Sequence, residues 1–285
     1  MMFKRGDKIG IVCCSNALSD SARPAVMLLG NDLEQLGFIP VFSRYFYAGS
    51  SIFDRTGRQR AGELMEFYRN SGIKALFDIS GGDLANEVLT HLDFQVIREH
   101  LKPFFGYSDL TVILNAVFQQ TGQKAYLYQV RNLVMDHSEV QKKDFKDSLF
   151  GNGDGLFQFR TRFIRGTSME GVVVGGNIRC LLKLAGTRFW PDMQDKILFL
   201  ESRGGEVPQM VTYLNQLKQI GVYEKINGII LGTFTTMEAR GCLPRMEELV
   251  KKMSGPGVSI AKTDEIGHGT DSKCLIIGKK YRFSS

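Results

Sequence analysis

The sequence has few cysteines, few histidines and no long apolar run. Its five cysteines are an odd number in 285 residues, and their wide spacing forms no CxxC pair. This argues against a disulfide scaffold and favours a reducing compartment. No apolar run approaches the roughly 18 residues of a membrane span, and no stretch near the start has the pattern of a signal peptide. We therefore expect a cytoplasmic protein that does not contact a membrane.

Metal-binding patterns are also missing. The sequence has no HExxH motif, and its four histidines are scattered, so no zinc-ligand spacing is visible. The adjacent Cys13 and Cys14 end an apolar run and are expected to be small buried residues of an early strand. We expect neither a metal nor another cofactor.

Positive charge exceeds negative charge only modestly, with 36 Lys and Arg against 30 Asp and Glu. The densest basic stretch is "FQFRTRFIRG", which contains Arg160, Arg162 and Arg165. Its alternation predicts a strand with one polar face, whereas a nucleic-acid binder would show a more clustered patch. We favour a solvated strand face and expect no nucleic-acid partner.

Apolar runs alternate with amphipathic stretches that end in glycine, which is the pattern of βαβ units and a mostly parallel sheet. The alternation breaks near residue 135, at the polar stretch "MDHSEVQKKDFKDSLFGNGDG", and resumes after residue 165. We therefore predict an α/β protein with an N-terminal domain over residues 1–134 and a smaller C-terminal α/β domain over 166–285. Residues 135–165 are expected to connect them, with the active site between the two domains.

Ser108 lies in "KPFFGYSDLT", where a short apolar run meets a helical pattern. One explanation is a helix cap, since Ser and Asp are favoured at that position. The other is a nucleophile elbow, a sharp turn that projects the hydroxyl out of the sheet. Only Gly106 of the usual pair of flanking glycines is present, so the local pattern leaves both alternatives open.

A nucleophilic serine needs a base and a group that orients the base. His268 lies between glycines in "EIGHGTDS", which allows close approach to a pocket. Glu201 follows a buried strand in "KILFLESRGG" and begins a loop, where function concentrates. The other histidines lie in a helix, a charged stretch and the polar segment: His91, His100 and His137. Plain loop roles for His268 and Glu201 stay open at this point.

Two glycines follow another predicted strand in "DISGGDLANE". A tight turn explains them without any function. Alternatively, an N–H of Gly81 or Gly82 and the N–H of Asp109 hold the same oxyanion, because free N–H groups at a helix start stabilise negative charge.

Five segments together resemble the LD-carboxypeptidases and their microcin-immunity relatives, a family of serine peptidases. They are the opening strand "GDKIGIVCCS", the double-glycine segment "ALFDISGGDLANEVLTHLDF", the nucleophile motif "KPFFGYSDLT", the stretch "VVGGNIRCLLKLAGTRFWPDMQDKILFLES" and the closing "GHGTDSKCLIIG". The resemblance covers nearly the whole chain. Asp271 and Ser272 depart from the closing motif, which usually carries an asparagine there.

The resemblance implies a triad of Ser108, His268 and Glu201, with an oxyanion hole built from the N–H of Asp109 and an N–H of Gly81 or Gly82. It further implies a homodimer. The candidate substrate-binding residues within the similar segments are Asp83, Asn177 and Trp190.

The implied substrate is a murein tetrapeptide that loses its terminal D-alanine. One alternative is an immunity-type amidase acting on peptidyl or aminoacyl nucleotides, for which Trp190 is a candidate stacking residue, although a packing role is open too. A second alternative is a non-catalytic binding protein, which the presence of all three triad residue types disfavours.

Overall fold

The computed structural model describes residues 3–44, 46, 47, 49, 51 and 55–285. Within them, the first half of the chain contains the strands β1 (Lys8–Val12), β2 (Ile39–Phe42), β3 (Ile73–Asp78), β4 (Phe104–Gly106) and β5 (Ala125–Leu127), and the helices α1 (Arg23–Leu36), α2 (Gly57–Arg69), α3 (Phe94–Glu99), α4 (Thr111–Thr121) and α5 (Ser138–Phe150). Short 3-10 helices span Asp20–Ala22, Ala85–His91, Ser108–Leu110 and Val130–Val134.

The second half contains the strands β6 (Arg162–Arg165), β7 (Ser168–Asn177), β8 (Lys196–Ser202), β9 (Gly228–Phe234), β10 (Ser259–Lys262), β11 (Leu275–Ile277) and β12 (Lys280–Ser284). Its helices are α6 (Ile178–Leu182), α7 (Val207–Gln219), α8 (Thr235–Ala239) and α9 (Met246–Met253). No helix among the described residues is long and apolar enough to cross a membrane.

The first sheet has the strand order β11-β5-β4-β3-β1-β2. Its strands from β2 to β5 pair in parallel, as the βαβ pattern predicts, and β11 adds an antiparallel edge. Buried apolar residues cover both faces of the central strands, because helices pack on each side. The carboxyl ends of β1, β3 and β4 therefore meet at one edge, where polar loops are exposed to a cleft.

The second sheet has the order β12-β7-β8-β9-β10-β6. Strands β7 to β10 pair in parallel, and an antiparallel strand lies at each end. Asn177 and Glu201 are register partners at the carboxyl ends of β7 and β8. The fold is thus the α/β architecture with two mostly parallel sheets that the sequence predicts.

Helix α4 joins the two sheets. The Asn115 side-chain amide donates to the carbonyl of Gly175 over 2.8 Å and accepts the N–H of the same glycine over 2.9 Å. The Thr111 hydroxyl accepts the N–H of Asn177 over 3.0 Å. A Cβ at Gly176 would lie 2.5 Å from that hydroxyl, so the contact requires glycine. The helix that follows Ser108 is therefore held against the second sheet.

The segment expected to connect the two domains has secondary structure of its own. The expected connecting segment 135–165 contains helix α5, which buries Phe145 and Leu149, and strand β6. In α5 the polar residues outnumber a narrow stripe of apolar residues at helical spacing, which the composition of the segment does not reveal. The stretch "KCLIIGKKYRF" forms two strands, β11 and β12, in different sheets, because Gly278 turns the chain at a φ of 84°.

The three arginines of "FQFRTRFIRG" contact groups of the protein. Arg160 pairs with Glu265, and Arg162 pairs with Glu247. Arg165 donates to the Ser254 hydroxyl and to two backbone carbonyls. Acids and carbonyls of neighbouring elements thus balance the positive charge of this strand, as expected for a solvated face.

Candidate active site

Ser108 stands directly after β4 and opens the 3-10 helix Ser108–Leu110. Its φ of 56° is left-handed, which costs a non-glycine residue energy and is typical of strained functional turns. A Cβ at Gly106 would lie 2.8 Å from the Cβ of Leu110, so this tight turn requires glycine before the serine. The N-cap residue of α4 is Leu110, so Ser108 does not cap that helix.

His268 and Glu201 form a hydrogen-bonded pair. Glu201 is fully buried near the end of β8, and His268 lies in the loop after β10. Nδ1 of the histidine is 2.6 Å from Oε2 of the glutamate. Because a carboxylate accepts the Nδ1 proton, Nε2 of the neutral imidazole keeps its lone pair. That Nε2 atom makes no hydrogen bond to any described residue.

The Tyr107 ring packs edge-on against the imidazole, with 4.9 Å between the ring centroids and 70° between the ring planes. Burial raises the pKa of the Tyr107 hydroxyl well above its usual range, and the negative charge of Glu201 raises it further. Tyr107 therefore stays neutral beside the Glu201–His268 pair and fixes one face of the imidazole.

A cavity of about 430 Å³ lies between the two sheets, at the carboxyl ends of their strands. Ser108 and His268 both line it, so the structure brings the predicted nucleophile and the predicted base to one space. The other polar lining residues include Asn16, Ser80, Gln129, Arg131, Asn132 and Arg203.

The double-glycine segment forms one wall of this cavity. Gly82 has a φ of 125°, and a Cβ there would lie 2.3 Å from Cγ of Asn16. The Asn16 side-chain oxygen accepts the N–H groups of Asp83 and Leu84 over 2.8 and 3.2 Å. Gly81 accepts the Asn16 N–H through its carbonyl over 3.2 Å. This network sets the orientation of the peptide groups beside Ser108.

The Asp109 side chain ties the nucleophile turn to the same segment. Its buried carboxylate accepts the Ser15 hydroxyl over 2.6 Å and the Ala85 N–H over 2.8 Å. Lys183 donates to the other oxygen over 2.5 Å. Three separate segments thus converge on Asp109, and its carboxylate is occupied by structural contacts.

The three candidate substrate-binding residues are not among the residues that line the cavity. Asp83 lies at its edge and pairs with Arg179, which lowers the pKa of the Asp83 carboxyl. Asn177 is buried, and its side chain caps α6 by accepting the Cys180 N–H. Trp190 packs, partly buried, against the apolar core. The other histidines, His91, His100 and His137, also lie outside the lining.

Arg131 and Arg203 line the cavity although neither was predicted as a site residue. Arg203 follows Glu201 by two positions, in the loop after β8, and its proximity to the predicted Glu201 is a local signal. Arg131 lies in a 3-10 helix after β5 and carries no motif. The prediction that Cys13 and Cys14 are buried is confirmed, although both lie just after β1 and not within it.

The fold and the site define a two-domain α/β protein with a strained serine turn and a buried His–Glu pair at one cavity. The LD-carboxypeptidase N-terminal domain model matches residues 9–129, and the LD-carboxypeptidase C-terminal domain model matches residues 170–283. The chain belongs to the LD-carboxypeptidase family, which is a family of peptidases.

Curated relatives match over nearly their full lengths. A probable murein peptide carboxypeptidase of Bacillus subtilis (strain 168) is 26% identical, over 98% of this chain and 89% of the relative. The microcin C7 self-immunity protein MccF of Escherichia coli is 24% identical, over 96% of this chain and 90% of the relative. A solved structure of MccF in complex with aspartyl sulfamoyl adenosine superposes with a TM-score of 0.86 at 21% identity, over 99% of this chain and 94% of that one. This last likeness establishes the fold.

Proposed function

We propose that the protein is a serine hydrolase of amide bonds, with Ser108 as the nucleophile and His268 as the general base. Glu201 would orient the imidazole. The observation that carries this proposal is the 2.6 Å contact between Glu201 Oε2 and His268 Nδ1, beside a cavity that Ser108 also lines. Because this contact occupies Nδ1, the lone pair stays on Nε2 of His268, which makes no hydrogen bond to a described residue and can therefore act as a general base.

In the proposed reaction, Nε2 of His268 accepts the Ser108 hydroxyl proton while Oγ attacks the substrate carbonyl carbon. The N–H groups of Asp109 and of Gly81 or Gly82 hold the resulting oxyanion. The imidazolium then gives its proton to the leaving amine, and the C–N bond breaks. In the second half, His268 takes a proton from water, the hydroxide displaces Oγ from the acyl carbon, and Ser108 regains its proton.

For the substrate we propose a murein tetrapeptide, cut before its terminal D-alanine, so that the enzyme is a serine carboxypeptidase. The support is membership of the LD-carboxypeptidase family and the likeness to the Bacillus subtilis relative, which is named as a probable murein peptide carboxypeptidase. A role in peptidoglycan recycling would follow from this activity.

The second candidate is an amidase that cuts peptidyl or aminoacyl nucleotides, in the manner of a microcin-immunity enzyme. The likeness to MccF supports it, since one MccF structure holds a sulfamoyl adenosine. A stacking aromatic over the base is the feature that such a substrate would need. Trp190 packs against the core outside the cavity lining, and we therefore place the murein substrate first.

The test is to incubate the protein separately with murein tetrapeptide and with an aminoacyl sulfamoyl adenosine, and to identify the products by mass spectrometry. We expect release of D-alanine from the tetrapeptide and none from the Ser108→Ala variant. Cleavage of the nucleotide analogue alone would establish the second candidate. A protein that cuts neither and is not labelled by a fluorophosphonate would be a non-catalytic binding relative.

The domain boundaries 1–134, 135–165 and 166–285 and a cytoplasmic location are further proposals that rest on the sequence pattern, and a homodimeric state is one that rests on the family. Light scattering at several protein concentrations tests the dimer. A mass equal to a single 32.0 kDa chain at every concentration would overturn it.

A further inference from the structure

The cavity carries positive charge without a matching carboxylate. Arg131 and Arg203 both line it, and no lining residue among those described is an aspartate or glutamate. Neither arginine forms an ion pair with a described residue, and the Arg131 guanidinium donates one hydrogen bond, of 3.3 Å, to the Ile79 carbonyl. Arg131 is partly buried and Arg203 is exposed, so it is Arg131 that bears the cost of a buried cation without a counter-charge.

The two arginines follow strands of different sheets. Arg131 follows β5, in the 3-10 helix Val130–Val134. Arg203 follows β8, and its carbonyl accepts the N–H and the hydroxyl of Thr236 over 3.0 and 2.8 Å. Burial lowers the pKa of Arg131, and the positive charge of Arg203 lowers it further.

A third donor lies beside them. Asn132 also lines the cavity, only 4% of it is exposed, and its side-chain Nδ2 makes no hydrogen bond to a described residue. Buried amide groups are nearly always hydrogen-bonded. Two guanidinium groups and one free amide at a single cavity form a donor set that fits a planar anion.

We propose that Arg131 and Arg203, helped by Asn132, bind the terminal carboxylate of the peptide substrate. The inference rests on the proposed serine hydrolase function and names the group that the site recognises. An enzyme that removes a single residue must hold a carboxylate within about one residue length, roughly 3.5 Å of chain, of the bond that Ser108 attacks. Both arginines line the same cavity as Ser108, and we therefore place the carboxylate subsite there.

The test separates carboxylate binding from catalysis by using the Ser108→Ala protein. Calorimetry measures its affinity for murein tetrapeptide with a free terminal carboxylate and for the same peptide with a terminal amide. We expect the acid to bind roughly 10 to 100 times more tightly, because hydrogen bonds to a charged group are strong. Adding Arg131→Gln and Arg203→Gln should remove this preference and leave amide binding unchanged.

Arg58→Gln is the matched control, because Arg58 is exposed on α2 and lies outside the cavity lining. It should keep the preference for the acid. Equal affinity for acid and amide in the Ser108→Ala protein, including binding of neither, would overturn the carboxylate site. A failure of the proposed function would look different: the parent protein would not react with a fluorophosphonate, whatever the affinities.

Discussion

His268 Nδ1 lies 2.6 Å from Glu201 Oε2, and the glutamate is fully buried. The two residues are 67 positions apart in the chain. Glu201 lies in β8 and His268 lies beyond β10, so β9 separates their strands in the sheet. A buried carboxylate that accepts the Nδ1 proton holds the tautomer in which Nε2 is a base, and this relationship leads to the first prediction.

Replacing Glu201 by Gln should lower the maximal rate by about 10⁴-fold, since the amide analogue of a triad acid stabilises the wrong tautomer. The rate of D-alanine release from murein tetrapeptide measures the effect. His91→Gln is the control, because His91 is exposed and outside the cavity lining. An enzyme that loses activity with His91→Gln and keeps it with Glu201→Gln would contradict the proposed triad.

Replacing Ser108 by Ala should abolish turnover, with a loss on the order of 10⁶ in rate, and leave the fold intact. Ser108→Gly should be at least as stable as Ser108→Ala, because glycine relieves the left-handed φ of 56°. In an ordinary helix, glycine is instead about 1 kcal/mol less stable than alanine. Urea unfolding compares the stability of the two variants. A Ser108→Gly protein less stable than Ser108→Ala, as in an ordinary helix, would show that the turn is not strained.

Gly82→Ala should destabilise the protein by about 2 kcal/mol or more, because the added Cβ meets Asn16 at 2.3 Å and the φ of 125° disfavours any side chain. Gly81→Ala is the matched control for stability, since a Cβ at Gly81 meets no atom within 4 Å. Thermal unfolding compares the two. Equal loss in both variants would contradict the role assigned to the Asn16 contact.

Replacing Lys183 by Met should destabilise the protein by about 3 kcal/mol, because it leaves the fully buried carboxylate of Asp109 without its counter-charge. Adding Asp109→Asn should restore part of this loss, since a neutral amide can still accept from Ser15 and Ala85. Denaturant unfolding of the parent, the two single variants and the double variant gives the free energies of unfolding for a double-mutant cycle. Strict additivity would show that the two charges do not interact.

Stability should fall as the pH rises above about 9. Burial raises the pKa of the Cys13 thiol from 9.0 to about 11, the nearby charge of Asp78 raises it too, and burial raises the pKa of Cys14 and Cys274 further. A pKa raised on folding means that the unfolded state loses its proton first. Cys13 therefore contributes stability that is complete below pH 9 and is lost towards pH 11.

For Cys13 this loss amounts to roughly 3 kcal/mol over the whole interval. Urea unfolding at pH 7.5 and pH 10.5 measures it. In Cys13→Ala, the difference between the two pH values should be smaller than in the parent protein. A Cys13→Ala protein with the same pH dependence as its parent would show that this thiol does not contribute.

Local patterns in the sequence determined the α/β class and the three triad candidates. Alternating apolar runs and helical periodicity predicted most elements, because each depends on residues close together in the chain. The motif around Ser108, the strand that ends near Glu201 and the glycines beside His268 are also local features. The order of all five similar segments along the chain, more than any single motif, connected them to one family.

Only the tertiary structure decided which side chains share the cavity. Arg131 lies in no motif that the sequence reveals. It lines the cavity because β5, the strand that precedes it in the chain, lies two strands from β3 in the first sheet. Asn177 and Trp190 lie in family-like segments, yet packing directs them to a helix cap and to the core. Strand β11 joins the first sheet although it lies in the chain between β10 and β12, which belong to the second sheet. These outcomes depend on contacts between residues that are far apart in the sequence. The free energy of burial selects which segments pack together, and local periodicity carries no information about that choice.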